Sequence, residues 1–149
     1  MSKFQPGVLA PVSRHARYLT FRLKSRTAAR KALRALGNIA DGENCVVGLG
    51  ATLLRALDCV IPGMHRFPAY ALKGATVPST PAALWCWLRG AERGELVHHS
   101  RAIVHALAPA FTLDSAIDAF RHGTGRDLTG YEDGTENPKN QKAVAAAIT

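Results

Sequence analysis

An α+β fold, with an antiparallel sheet and two helices on one face, follows from three observations. Residues 15–23 and 84–88 alternate with a period of two, residues 26–40 and 92–108 place apolar side chains at helical spacing, and the order strand, helix, strand occurs twice. A length of 149 residues fits one domain of ordinary size, large enough to bury most of its core surface. Hydrophobic content of 47% against 20% charged residues belongs to a globular chain and excludes a disordered one.

Residues 1–13 form an extended lead-in punctuated by Pro6 and Pro11. From His15 a strand follows, with Arg17, Leu19, Phe21 and Leu23 on one face and Ala16, Tyr18, Thr20 and Arg22 on the other. Ser25 or Thr27 can cap the next helix, whose buried stripe is Ala29, Ala32, Leu33, Leu36 and Ala40. Asp41-Gly42-Glu43-Asn44 is a turn, and the apolar run from Cys45 to Gly50 suits a central strand. Thr52 to Leu57 allows one or two helical turns. Residues 58–69, with Pro62, Gly63 and Pro68, read as an irregular connection. Tyr70 to Ala75 fits neither period, and Pro78-Ser79-Thr80-Pro81 ends it.

Leu84 to Leu88 is the strongest strand of the middle region. Trp85 and Trp87 point one way, while Leu84, Cys86 and Leu88 point the other, so both faces call for cover. One layer of helices covers only one face. The strand is therefore expected to pack on something beyond its own helices, an absent half or a second chain, and the chain alone is expected to associate. Glu92 to Ala108 is the second helix, with Glu92 and Glu95 in its first turn, Leu96, Ile103 and Leu107 inward, and Pro109 at its end. Phe111, Leu113, Ser115, Ile117 and Ala119 alternate through the last strand. Gly123, Gly125 and Gly130 loosen the chain beyond it, and Gln141 to Ile148 is an alanine-rich, mildly helical tail. The whole is a ferredoxin-like βαββαβ plait, without internal repeats.

Cys45, Cys59 and Cys86 are odd in number and lack CxxC spacing, which excludes a disulfide framework or zinc ribbon and leaves small buried hydrophobes. The net charge of +8 is spread out; its densest group, Arg26, Arg30, Lys31 and Arg34, has the spacing of a solvated helix face. No basic residue interleaves Trp85 and Trp87, which argues against an RNA-binding sheet, and no nucleic-acid partner is expected. No apolar run reaches membrane-span length, and the N-terminus lacks the apolar core of a signal peptide, so no membrane partner and a cytoplasmic location are expected.

The chemistry-bearing stretch is Gly130-Tyr131-Glu132-Asp133-Gly134-Thr135-Glu136-Asn137-Pro138. One carboxylate sits between glycines that permit close backbone approach, and a proline stiffens the exit. Asp-Gly alone is a common turn dipeptide. Gly48-Leu49-Gly50 lacks the third glycine of a dinucleotide fingerprint. His15, His65, His98, His99, His105 and His122 show no metal-binding spacing, and no metal ligand is assigned.

The nonapeptide resembles the GxxDG haem-pocket motif of the dye-decolourising (DyP-type) peroxidases and its usual continuation. Gln5-Pro6-Gly7-Val8-Leu9, Leu84-Trp85-Cys86-Trp87-Leu88-Arg89-Gly90 and Asp118-Ala119-Phe120 extend the resemblance over essentially the whole chain, nearest to the bacterial iron-regulated, cytoplasmic-type subgroup. The resemblance implies the same plait, of the dimeric α+β barrel type. It implies a haem-dependent peroxidase that reduces hydrogen peroxide and oxidises dyes, phenols or porphyrinogens, and that forms a homo-oligomer when complete. Asp133 is then the distal group that moves the peroxide proton, a task for a carboxylate of reference pKa about 3.9 under acidic conditions. Gly134, Thr135 and Glu136 become haem-edge neighbours.

The family's proximal histidine and distal arginine belong to a second domain. Residues 1–149 are accordingly expected to be the N-terminal half, with 139–149 a loose tail leading to that domain. Haem b would take its proximal ligand from outside this chain, and the chain alone is expected to be inactive. Trp85 and Trp87 are taken as packing residues, and Tyr131 and Glu132 carry no assignment. The rival readings are a haem-handling protein and a non-enzymatic binding or assembly module.

Overall fold

The computed structural model describes residues 4–132 and 134–148. Its centre is β1 (His15–Leu23), which pairs antiparallel with β5 (Leu84–Gly90) on one side and β6 (Phe111–Phe120) on the other. β2 (Cys45–Leu49) pairs antiparallel with the far side of β5, giving the sheet order β2-β5-β1-β6. The register joins Phe21 to Leu84, Leu19 to Cys86 and Cys45 to Leu88, so these side chains share one face.

Two helices cover that face. In α1 (Arg26–Gly37), Ser25 accepts from the Ala28 N–H, settling which residue caps the helix, and Ala29, Ala32 and Leu36 turn inward. In α3 (Arg93–Leu107), Leu96, Ile103 and Leu107 do the same. All six join Leu19, Phe21, Leu84, Cys86 and Leu88 in one core, where each fully buried Leu or Phe contributes about 1.5–3 kcal/mol. The βαββαβ plait expected from the sequence is the observed architecture.

The differences lie at the ends of elements and in the insertion. α1 stops at Gly37 instead of running to Ala40. The Asn38 N–H closes on Ala35 and Leu36, the Ile39 and Ala40 N–H groups also return to the Leu36 carbonyl, and Ala40 packs on the core from outside the helix. Glu92 is the cap of α3, its carboxylate accepting from the Gly94 N–H. The short α2 (Ala51–Ala56) starts from Gly50, where an added Cβ would overlap the Ala82 carbonyl oxygen. The stretch from Tyr70 is a hairpin, β3 (Tyr70–Leu72) and β4 (Ala75–Val77), turned by Lys73 and Gly74 with Gly74 at φ +85°. Its exposed strands hide the alternation. The tail forms α4 (Gln141–Ala147), which buries no residue. Among the described residues no helix is long and apolar enough to cross a membrane.

Two polar side chains fix the lead-in to the sheet. Gln5 stands in for a missing strand on the free edge of β2: its amide donates to the Val47 carbonyl and accepts from the Val47 N–H, both at 2.8 Å. Arg89, only 6% exposed, donates to the carbonyls of Gly7 (2.7 Å), Ala10 (3.2 Å) and Pro11.

Candidate functional site

The chain leaves β6 at Phe120, and the Arg121 N–H donates to the Arg14 carbonyl at 2.9 Å, which pins the start of the next loop beside β1. Asp127 organises that loop. Its carboxylate accepts from the Thr129 hydroxyl, the Thr129 N–H and the Tyr131 N–H, its carbonyl accepts from the Gly130 N–H, and its own N–H donates to the Tyr131 carbonyl. The Thr129 hydroxyl leads these contacts in holding the Asp127 carboxyl below the usual carboxylate range. Gly130 takes φ +92°, a conformation that costs a glycine little.

Arg126 fastens the far side. Its guanidinium donates to the Gly130 carbonyl (2.9 Å) and to Glu132 Oε1 (2.8 Å), and the Arg126 and Glu132 backbones form an isolated antiparallel bridge. Glu132, left without a role by sequence reasoning, is thus half of a clasp one residue before Asp133 in the sequence. On the other side Gly134 has φ +68°, its carbonyl accepts from the Asn137 N–H at 3.0 Å, and an added Cβ would overlap the Asn137 side chain. Thr135 and Glu136 are exposed and make no hydrogen bond among the described residues. Asp133 itself lies outside the described residues.

The histidines are dispersed: His15 on β1, His65 in the insertion, His98, His99 and His105 on α3, and His122 at the loop entry. Among the described residues no group of three or more His, Cys, Asp or Glu side chains could hold a metal ion.

A second feature faces away from the helices. Tyr18 stacks on Trp85 with centroids 5.6 Å apart and an interplanar angle of 10°, and Trp87 lies 6.1 Å from Tyr18 and 6.2 Å from Trp85. The register places them together, joining Tyr18 to Trp87 and to Ile117. Both tryptophans are only half-buried, Ile117 is 58% exposed, and the Trp87 indole N–H is buried with no partner among the described residues. The Arg89 guanidinium lies 4.8 Å from the Trp87 ring centroid, occupied by the lead-in carbonyls. Sequence reading missed Arg89; its place two residues after Trp87, on the same strand face, was the available signal.

No family model matches the chain. Among curated proteins it is 33% identical to the dye-decolorizing peroxidase of Brevibacterium linens, over 95% of this chain and 42% of that protein. It is 30% identical to the dye-decolorizing peroxidase of Rhodococcus erythropolis, over 72% of this chain and 32% of that one. Among solved structures it matches DyPB of Rhodococcus jostii RHA1 at TM-score 0.76 and 28% identity, over 93% of this chain and 50% of that one. A DypB variant of the same organism in complex with heme matches at TM-score 0.71 and 29% identity, over 92% and 49%. A dyp-type peroxidase protein of Shewanella oneidensis matches at TM-score 0.77 and 25% identity, over 97% and 52%. The chain thus spans about half the length of these structures and less of the curated relatives.

Proposed function

Because the chain belongs to the dye-decolourising peroxidase family, we propose that it is the N-terminal half of a haem b peroxidase and supplies the distal wall of the pocket through Asp133. The carrying observation is a likeness over 95% of the chain to a named peroxidase, with the motif carboxylate bracketed by two glycines at positive φ. The donor set suits the distal side of a haem. Gly130 bears no Cβ and opens onto free space, which lets a flat ring approach the main chain, and the Thr135 hydroxyl and Glu136 carboxylate stand exposed beside Gly134 for polar groups at its edge. The reading assigns the axial ligand to the other half.

Haem iron, when bound, supplies the electrons that reduce peroxide. The Asp133 carboxylate would accept a proton from one peroxide oxygen and return it to the other, which departs as water. Gly130 and Gly134 leave the main chain without side chains at the two ends of the Gly130–Gly134 segment, and the Arg126–Glu132 clasp ties its first half to the loop. Dyes, phenols or porphyrinogens are the proposed electron donors.

A chimera in which this chain replaces the matching part of the Brevibacterium linens protein tests the assignment. The chimera is expected to oxidise a dye with peroxide, and Asp133→Asn to cut turnover by about 100-fold or more, the range of a lost acid–base group. Equal turnover in both would sink the role of Asp133. Haem titrated into the 149-residue chain alone is expected to give weak binding without turnover; a sharp Soret band with turnover would overturn the one-wall reading.

A further inference from the structure

α3 packs mainly on β5 and β1 and leaves part of the edge strand β6 uncovered on the helix side. The β1–β6 pairing slips between Thr20 and Phe21. Leu113, opposite Phe21, and Ala116, opposite Leu19, therefore both face the helices, where strict alternation would put them on opposite sides. Leu113 is 38% exposed and Ala116 is exposed. On α3, Arg101, Val104, His105 and Ala108 recur at the spacing of one helix stripe, next to the buried stripe that holds Ile103 and Leu107. Between this stripe and β6 lies a cleft of about 460 Å³, within the range of small-molecule sites.

The cleft has two characters. Leu19, Val104, Leu113 and Ala116 make it apolar along the sheet. Arg17, Arg101 and His105 also line it, and no Asp or Glu does so among the described residues. We infer that this cleft binds a small organic carboxylate, with an aryl or short alkyl body against the apolar residues and its charged end on Arg17 and Arg101.

The charges are unbalanced in the direction this requires. Arg17 Nη1 donates to one Asp118 oxygen, and the other oxygen accepts two bonds from Arg93, so two guanidinium groups share one carboxylate. The Arg17 Nε–H is buried and has no acceptor among the described residues. A buried donor left unpaired is costly, and an oxygen brought in by a ligand removes that cost. Arg101 is exposed and makes no ion pair or hydrogen bond among the described residues, so its fork is free to close on a carboxylate. The apolar side favours an organic acid over an inorganic anion, whose surface gains nothing from Leu113 and Val104.

Neither haem nor any residue of the motif loop takes part, so the inference stands or falls apart from the peroxidase reading. Phenylacetate is titrated into the isotope-labelled, haem-free 149-residue chain and followed by amide chemical shifts. Phenylacetamide, which keeps the ring without the charge, and acetate, which keeps the charge without the ring, are titrated in parallel. The expected result is a saturable shift at Val104, Leu113 and Ala116 with phenylacetate, at an affinity about tenfold or more above either analogue. Arg101→Gln should weaken phenylacetate by about 5-fold or more, and Ala116→Leu, which fills the cleft from an exposed position, should abolish the shift. Equal affinity for phenylacetamide would show that the cations take no part, and equal affinity for acetate that the apolar residues take none. Either result overturns the proposal, as does a shift confined to other residues or no saturable shift up to about 20 mM. The three-ligand comparison is made on the unaltered chain, so it decides the matter even where a variant folds poorly.

Discussion

Replacing Arg89 by alanine is expected to destabilise the domain by about 2–3 kcal/mol and to free the lead-in before the sheet opens. Hydrogen bonds to a charged group are worth about 1.5–3 kcal/mol each, and Arg89 makes three. They do not count equally. Gly7 is buried, so its carbonyl is left unpaired, whereas Ala10 is half-buried and Pro11 exposed, and their carbonyls regain water. The cation over Trp87 adds about 0.5–2 kcal/mol. Opposing these, truncation removes the cost of holding a charge at 6% exposure. The net figure corresponds to a fall in Tm of about 4–12 °C at this chain length. Urea denaturation gives the free energy, and hydrogen exchange at Gly7, Val8 and Leu9 reports the lead-in. Arg89→Met keeps the stem and discards the charge, and it should fall short of the wild type too. A Met variant at or above wild-type stability would show that desolvation of the guanidinium outweighs its bonds and would refute the reasoning.

Gly50→Ala forces a Cβ into the Ala82 carbonyl oxygen and should cost about 2–4 kcal/mol by thermal melting; a loss under about 0.5 kcal/mol would mean that the start of α2 shifts freely. Gln5→Ala uncovers the edge of β2 and should cost about 1 kcal/mol, with faster hydrogen exchange at Val47 than at Cys86 as the specific signature. The Asp118 pKa is lowered first by the Arg93 hydrogen bond and then by Arg17; for Asp41, burial works upward but the N–H groups of Cys45, Glu43 and Asn44 prevail. Both pKa values are depressed on folding, so their stabilisation is whole above about pH 4 and is lost as pH falls through the folded values; Asp118→Asn should flatten that acid loss in urea midpoints taken from pH 5 to 2.5. Arg126→Ala releases an exposed clasp worth about 0–1 kcal/mol, so it should lower turnover of the chimera by no more than about 5-fold. An effect as large as that of Asp133→Asn would place Arg126 in the chemistry.

The plait was legible because its strands and helices are half-buried in a periodic way. Leu19 and Phe21 alternate, and Leu96, Ile103 and Leu107 recur at helical spacing. Where burial is lost the period fails: Tyr70–Leu72 and Ala75–Val77 are exposed throughout, and the hairpin could not be read from pattern. Arg89 and Gln5 escaped for another reason. Their partners are main-chain groups 82 and 42 residues away in sequence, and backbone carbonyls leave no trace in side-chain identity. At the motif, composition carried the glycine conformations at 130 and 134, and these are present. The Arg126–Glu132 clasp depends on the loop's reversal around Asp127, a contact no helix or strand period announces.

The energetics of the motif loop bear on how a pocket could be made from it. Its ties are the Asp127 turn, the two Arg126 contacts and the Gly134–Asn137 bond, all at or near the surface, where water competes for the same groups. Such bonds shape a loop locally but do not set a carboxylate against a ring to a fraction of an ångström, which proton transfer requires. The stiff part of the domain is elsewhere, in the core between sheet and helices. A body packed against the open sheet face would supply what the loop lacks. That face has the means to receive one: a cluster of three aromatics, with Tyr18 stacked on Trp85 and Trp87 tilted beside them, an exposed Ile117 and a buried indole N–H without a partner among the described residues. On the proposed reading, a body that covers Tyr18, Trp85 and Trp87 is therefore also the source of the rigidity that the exposed loop lacks.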